Sequence, residues 1–250
     1  MSIDILDAVV YPESDGKPMA DNTLQWDWMV KVVGELRAQF AGRDVFVAGD
    51  LFWYPVQGQT KIVAAPDALV AFGRPAGYRG SYKQWEEGNV APQVAFEVLS
   101  PDNSDDDMDD KLAFYTAHGV EEYYLIDPYD GLVTGYRRRG GRLAQVVKMN
   151  GFVSPRLGCR FEMTGDGLVM FTPDGRPFQT REDREAELLD ELRMAAADVE
   201  TERRRAHAER QRAEAEKQRA DVEQARAEAE KQRADGLAAK LRALGVDPEG

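Results

Sequence analysis

A single cysteine, a shortage of positive charge and the lack of any long apolar run set the first limits on this 250-residue chain. Cys159 stands alone, so no internal disulfide can form, which fits a reducing compartment. The N-terminal residues carry no basic segment and no apolar core of signal-peptide length, and no run approaches a membrane span. The expectation is a cytoplasmic protein with no membrane partner. The formal net charge is −13. Residues 181–250 hold 15 basic and 19 acidic side chains, leaving 17 and 26 in residues 1–180, so the first part of the chain is the more acidic. Polyanions are drawn to basic surfaces, and this balance argues against a general nucleic-acid-binding surface.

Three segments are expected: an N-terminal extension over 1–20, a globular domain over 21–179 and a helical tail over 180–250. Pro12, Gly16 and Pro18 break regular structure in the first. Asn22 and its neighbours offer N-cap chemistry for a helix reaching about Phe40, with Leu24, Trp28, Val32 and Leu36 at helical spacing and Met29, Val33 and Phe40 beside them. Glu35 lies next to that stripe and reads as a solvated helix acid. Residues 44–54 read as one strand, 61–65 as another extended run, and the stretch after Pro66 as a third strand with Asp67 at its start, a common place for an acid that caps backbone amides.

Residues 73–88 mix glycine, aromatics and cations in a loop or short irregular helix. Arg74, Arg79, Lys83, Tyr82 and Trp85 are side chains that meet phosphates and stacked bases, or that anchor a surface loop. Further on, Gly140-Gly141 signals a β-hairpin whose tip carries Arg137, Arg138, Arg139 and Arg142. Such a tip offers phosphate contacts and also keeps an edge strand soluble. Short strands with turns near Pro155, Asp166 and Asp174 complete the domain.

Residues 91–128 are the most informative. Val94 to Leu99 form an apolar run of strand length holding one carboxylate, Glu97. A lone acid there loses its water as the strand packs, so it needs a partner cation, a metal ion or a raised pKa. Pro101 ends the strand, an acidic run over 102–110 reads as solvated, and a helix begins at Lys111, stops at Gly119 and leads to a strand over 121–127. Asp67 and Glu97 could share one hard divalent cation, with Lys111 nearby to act on water or on developing phosphoryl charge, although no spacing forces the three together.

From about Thr180 to Leu244, Ala, Glu, Arg, Lys and Gln dominate, without proline, and a long helix follows from propensity. The decapeptide RAEAEKQRAD recurs two heptads apart. Leu192, Val199, Ala206, Ala213, Ala220, Ala227, Ala234 and Leu241 keep one heptad position, but the companion position turns to Arg203, Arg210, Lys217 and Gln224. An alanine seam with polar partners makes a weak coiled coil, and a single solvated helix competes with it.

The ordered set P-D-A-L-V, A-F-E-V-L-S-P, D-x-x-x-K-L-x-F-Y and G-V-E-E-Y-Y-L-I-D-P over residues 22–178 resembles the Uma-two family. That bacterial group of restriction-endonuclease-like proteins belongs to the PD-(D/E)XK nuclease superfamily. The resemblance implies an α+β fold, a mixed sheet flanked by helices, here followed by the long C-terminal helix or coiled coil. It implies a metal-dependent endonuclease, a hydrolase of nucleic-acid phosphodiesters, with DNA the expected substrate and Mg2+ or Mn2+ the cofactor. Carried over by motif, Asp67 and Glu97 would bind the metal, Lys111 would replace the strand lysine where this chain has Leu99, and Glu35 would match the helix acid. Asp107 would cap or support. The expected nucleic-acid contacts are Arg74, Arg79, Lys83, Arg137, Arg138 and Arg139. The competing expectation is an inactive nuclease-like scaffold assembling through its tail, as a homodimer or with a helical partner. A binder without cleavage ranks behind both.

Overall fold

The computed structural model describes residues 9–14, 16 and 18–243. Much of the expected extension lies outside the described residues, as does Leu244, and the side chain of Leu241 is likewise outside them. Helix α1 (Thr23–Gln39) leads to strands β1 (Val45–Ala48), β2 (Trp53–Tyr54), β3 (Ala68–Phe72), β4 (Tyr82–Lys83) and β5 (Val94–Val98). Helix α2 (Asp105–Ala117) is followed by β6 (Glu122–Asp127), β7 (Leu132–Arg139), β8 (Arg142–Gln145), β9 (Phe152–Val153), β10 (Arg160–Thr164) and β11 (Gly167–Phe171), and α3 (Arg181–Ala243) comes last. Two compact units divide between Glu185 and Ala186.

Local chemistry explains most of these boundaries. The Asn22 side chain accepts the Gln25 amide and caps α1 as expected. Residues 44–54 do not form one strand: the chain breaks after Ala48, where Asp50 takes a left-handed φ of 47°, and β2 pairs elsewhere. The expected extended run at 61–65 is irregular, a turn and a bend at Lys61 and Ile62, with only Ala64 bridging to Trp53. The acidic run is solvated as expected, but the helix begins within it, at Asp105 rather than Lys111. Ser104 and Asp107 form a reciprocal capping box, and Asp105 to Asp107 make the first turn of α2, where the positive end of the helix dipole favours carboxylates. Gly119, at φ +99°, turns the chain out of α2 into β6. The expected hairpin forms between β7 and β8, with Gly140 and Gly141 both at positive φ between Arg139 and Arg142.

The central sheet has the order β1-β3-β5-β6-β7-β8, and every neighbouring pair is antiparallel except β5 and β6. Parallel neighbours need a long crossover, which α2 supplies. Strand alternation then sorts the side chains into two cores. Val94, Phe96 and Val98 face one side with Val45, Val47, Val70, Tyr124 and Ile126, covered by α1 through Met29, Val32, Leu36 and Phe40 and by the β9–β10–β11 sheet through Phe161, Leu168 and Met170. Ala95 faces the other side with Phe46, Leu69, Ala71 and Tyr123, against Tyr115 of α2 and Trp53 and Tyr82 of the small β2–β4 sheet. The fold is an α+β mixed sheet flanked by helices and followed by one long helix.

Among the side chains of α1, Leu24 differs from expectation in being exposed, and Glu35, read as solvated, in being buried. In the second unit the helix presents Leu188, Leu189, Leu192, Met194, Val199, Val222 and Leu237 to solvent. Among the described residues no helix is long and apolar enough to cross a membrane.

Candidate active site

Glu97 sits one residue after Phe96, so the alternation that sends Phe96 toward α1 sends Glu97 toward α2. Its residue exposure is 1%, and two side chains from one face of α2 meet it. Lys111 Nζ donates to Oε2 at 2.7 Å, and the Tyr115 hydroxyl donates to Oε1. The i, i+4 spacing of Lys111 and Tyr115 places both on the same helix stripe. The partner that the sequence required for Glu97 is therefore a cation plus a phenol. Burial pulls the Lys111 ammonium toward neutrality, but the charge and hydrogen bond of Glu97, with Asp67 and Asp107 behind, outweigh it and raise the lysine's pKa. The Tyr115 phenol is held well above its ordinary range, first by burial and then by the adjacent carboxylate.

Asp67 stands one step beyond the last β3–β5 pair, Ala68 with Phe96, which brings it beside Glu97. Where backbone pairing stops, its carboxylate takes over: Oδ2 accepts the Val98 amide at 2.6 Å. Burial raises the Asp67 pKa well above the ordinary value, and the charge of Glu97 adds to that rise, opposed by the Val98 amide and Lys111. Two carboxylates, one amide and one ammonium thus gather at the end of β5.

Gln25 and Tyr115 also belong to this group, and neither was singled out from the sequence. Gln25 is buried in the first turn of α1, and its Nε2 donates to the Val98 carbonyl at 3.1 Å. Its Oε1 accepts the Asp21 amide at 2.8 Å, and the Asp21 carboxylate accepts the Ser100 hydroxyl at 2.5 Å. Val98, the residue following Glu97, is therefore held at both its amide and its carbonyl. The signal for Tyr115 was the K-L-x-F-Y spacing itself, which puts a tyrosine one turn from the lysine. Tyr123, on β6 at 5.0 Å ring to ring from Tyr115, adds a buried hydroxyl that has no hydrogen-bond partner among the described residues.

Glu35 is not brought to this group. It lies on α1, across the sheet from α2, where it pairs with Arg184 and accepts the Gln179 amide at 3.0 Å. A helix acid can be read from sequence, but the sheet face its helix will cover cannot. Four of the six expected basic contacts are engaged within the chain. Arg79 binds Glu87 through two nitrogens, at 2.5 and 3.1 Å, and lies over the Phe46 ring. Arg74 donates to the Glu87 carbonyl at 3.0 Å, and Lys83 reaches Glu86 at 3.4 Å. Arg138 ties four carbonyls together, those of Val120, Gly141, Tyr115 and Thr116, and so caps the end of α2. Arg137 and Arg139 are exposed on β7.

The donor set suits a hard divalent cation. Magnesium is commonly bound through one or two carboxylates while keeping several waters, and Asp67 and Glu97 provide two. Among the described residues no cluster of three or more His, Cys, Asp or Glu side chains is arranged around a metal position, so an all-protein cage is not what the site offers.

No curated protein matches this chain. Among solved structures, it is similar to a protein described as a putative nuclease belonging to DUF820 from Anabaena variabilis, with 21% identity and a TM-score of 0.41, covering 56% of this chain and 74% of that one. The Uma2 family model, described as "Putative restriction endonuclease", matches residues 18–164. That match spans more than half of the sequence, and the chain belongs to the Uma2 family.

Proposed function

We propose that this protein is a metal-dependent endonuclease hydrolysing phosphodiester bonds of nucleic acid, with DNA the expected substrate. The observation that carries the reading is the convergence of Asp67, just ahead of β3, Glu97 of β5 and Lys111 of α2 at one end of β5. Asp67 and Glu97 would hold Mg2+ or Mn2+. When bound, such an ion polarises a phosphoryl oxygen and lowers the pKa of a bound water. Lys111, a cation already held at the site by Glu97, would stabilise negative charge as it develops on the phosphoryl oxygens. Tyr115 would keep the Glu97 carboxylate in one orientation, and Gln25 would fix the carbonyl of Val98, the residue whose amide anchors Asp67. Family membership supports the reading, since restriction-endonuclease-like nucleases work with divalent metals.

The test is cleavage of single- and double-stranded DNA and RNA in Mg2+ and Mn2+. Asp67→Asn, Glu97→Gln and Lys111→Met should each abolish cleavage, whereas Glu35→Gln should leave it intact in a folded protein. Cleavage that survives Glu97→Gln would refute the assignment.

One observation favours a second reading, an inactive scaffold. Both Glu97 oxygens already have donors within the protein, so the site could be a closed ion pair that merely joins α2 to the sheet. On that reading the helical tail, as a homodimer or with another helical partner, would carry the function. The absence of divalent-ion binding, together with a change of oligomeric state on cutting the chain near Thr180, would decide for it.

A further inference from the structure

Helix α1 carries a second apolar stripe that the core uses only in part, through Val33. Trp26, Val30 and Val33, followed by Arg37, recur at i, i+4, i+7 and i+11, one continuous face of a helix beside the buried Met29–Val32–Leu36 face. Trp26 is 42% exposed, and Val30 and the preceding Met19 are exposed as well. Large apolar side chains grouped at the surface mark a binding surface more often than an accident of folding. Met19, Trp26, Val30, Val33 and Arg37 line a groove of about 310 Å³, and Asp67 closes its wall. The groove thus reaches the residue that anchors the candidate site.

We infer that this groove takes an unstacked nucleobase next to the phosphate that a metal ion at Asp67 and Glu97 would meet, making the preferred substrate single-stranded or locally unpaired nucleic acid. The inference rests on the metal-dependent reading of that site. Its chemistry follows from the lining. A base offers a flat π-face, which stacks on an exposed indole whatever the base sequence. Aliphatic walls at Val30 and Val33 accept the same flat surface without demanding hydrogen bonds. Arg37, held at its Nε by the Val47 carbonyl at 3.1 Å, sets a positive charge in the groove of an otherwise acidic domain, as the phosphate flanking such a base requires. A base inside a duplex is stacked on both sides and cannot offer its face to the groove.

The experiment measures fluorescence anisotropy of a labelled single-stranded oligothymidylate and of a duplex of equal length, with the full chain as wild type, Trp26→Phe and Trp26→Ala. Magnesium calorimetry and sedimentation are run on the same proteins. Trp26→Ala should weaken single-strand binding about five- to one-hundred-fold, the usual effect of removing one stacking platform. Trp26→Phe should retain most of it, duplex binding should change little, and the magnesium isotherm should be unaltered. Unchanged single-strand binding by Trp26→Ala, with metal binding intact, would overturn the inference and leave the nuclease reading standing. Failure of wild type to bind both magnesium and nucleic acid would overturn the nuclease reading and the inference with it. A wild-type dimer that Trp26→Ala converts to monomer would assign the groove to a second copy of the chain, and would also overturn it. Because Trp26 is partly exposed, both variants should keep the wild-type thermal midpoint, so a loss of binding is not a loss of fold.

Discussion

Lys111→Met isolates what the α2 lysine does for the buried acid on β5. The substitution keeps the aliphatic stem and removes the ammonium, leaving Glu97, at 1% exposure, with only the Tyr115 hydroxyl and no cation within reach of Oε2. Breaking a fully buried ion pair by removing one partner costs about 3–5 kcal/mol. The Lys111 side chain is 34% exposed, so solvent already screens part of the attraction, and about half of that, roughly 2 kcal/mol, is the expected loss. Urea unfolding of wild type and variant measures it directly as a shift in midpoint at constant slope. Adding Glu97→Gln to Lys111→Met should recover most of the loss, because a neutral amide no longer needs a counter-charge. Magnesium should stabilise Lys111→Met more than wild type, since the cation would then meet a carboxylate without a competing ammonium. A variant as stable as wild type, or a double variant less stable than Lys111→Met alone, would refute the picture of Glu97 as a buried charge compensated by Lys111.

Three further outcomes follow from the same contacts. Tyr115→Phe removes a donor to a buried carboxylate and should cost about 1.5–3 kcal/mol in urea unfolding while lowering, not abolishing, metal affinity. With chelator present, stability should fall as pH rises from the ordinary aspartate value of 3.8 toward the raised value of Asp67: over that window the folded state binds the proton more tightly than the unfolded chain, so deprotonation favours unfolding. Urea midpoints across that range check it, and Asp67→Asn should flatten the slope. Arg138→Ala should destabilise the protein by about 2 kcal/mol through the lost α2 carbonyl cap, yet leave the salt dependence of nucleic-acid binding unchanged, which a phosphate contact would not.

Local chemistry was the part of the fold most legible in the chain. The Asn22 cap, the Gly140-Gly141 hairpin, the stop at Gly119 and the acid-bearing strand around Glu97 each depend on a few adjacent residues, and each stands where the pattern put it. What failed depended on weighing one local signal against another. Consecutive aspartates from 105 to 107 are solvated as read, but the Ser104 cap makes them the favoured first turn of a helix expected to begin only at Lys111. The apolar residues from Val45 to Tyr54 look like one strand unless the break at Gly49-Asp50 outweighs them. The candidate site divides in the same way. A lone acid on a buried strand announces its need for a partner, and Lys111 one helix away answers it. Which sheet face a helix covers is a long-range matter, so Glu35 could be placed on α1 but not on the side opposite Glu97. The arginines of the 73–88 loop and of the hairpin carried charge that read as available; Glu87 and the carbonyls at the end of α2 absorb Arg74, Arg79 and Arg138, partners that adjacency in sequence only partly discloses.

The claim on which the rest depends is that Asp67 and Glu97 form a divalent-cation site. Calorimetric titration of Mg2+ and Mn2+ into wild type and Glu97→Gln tests it most directly, because glutamine keeps the shape and the Tyr115 hydrogen bond while removing the charge. Binding in wild type that Glu97→Gln abolishes is the result expected here. Equal binding in both proteins, or none in either, would contradict the metal site and leave Glu97 and Lys111 as a structural ion pair.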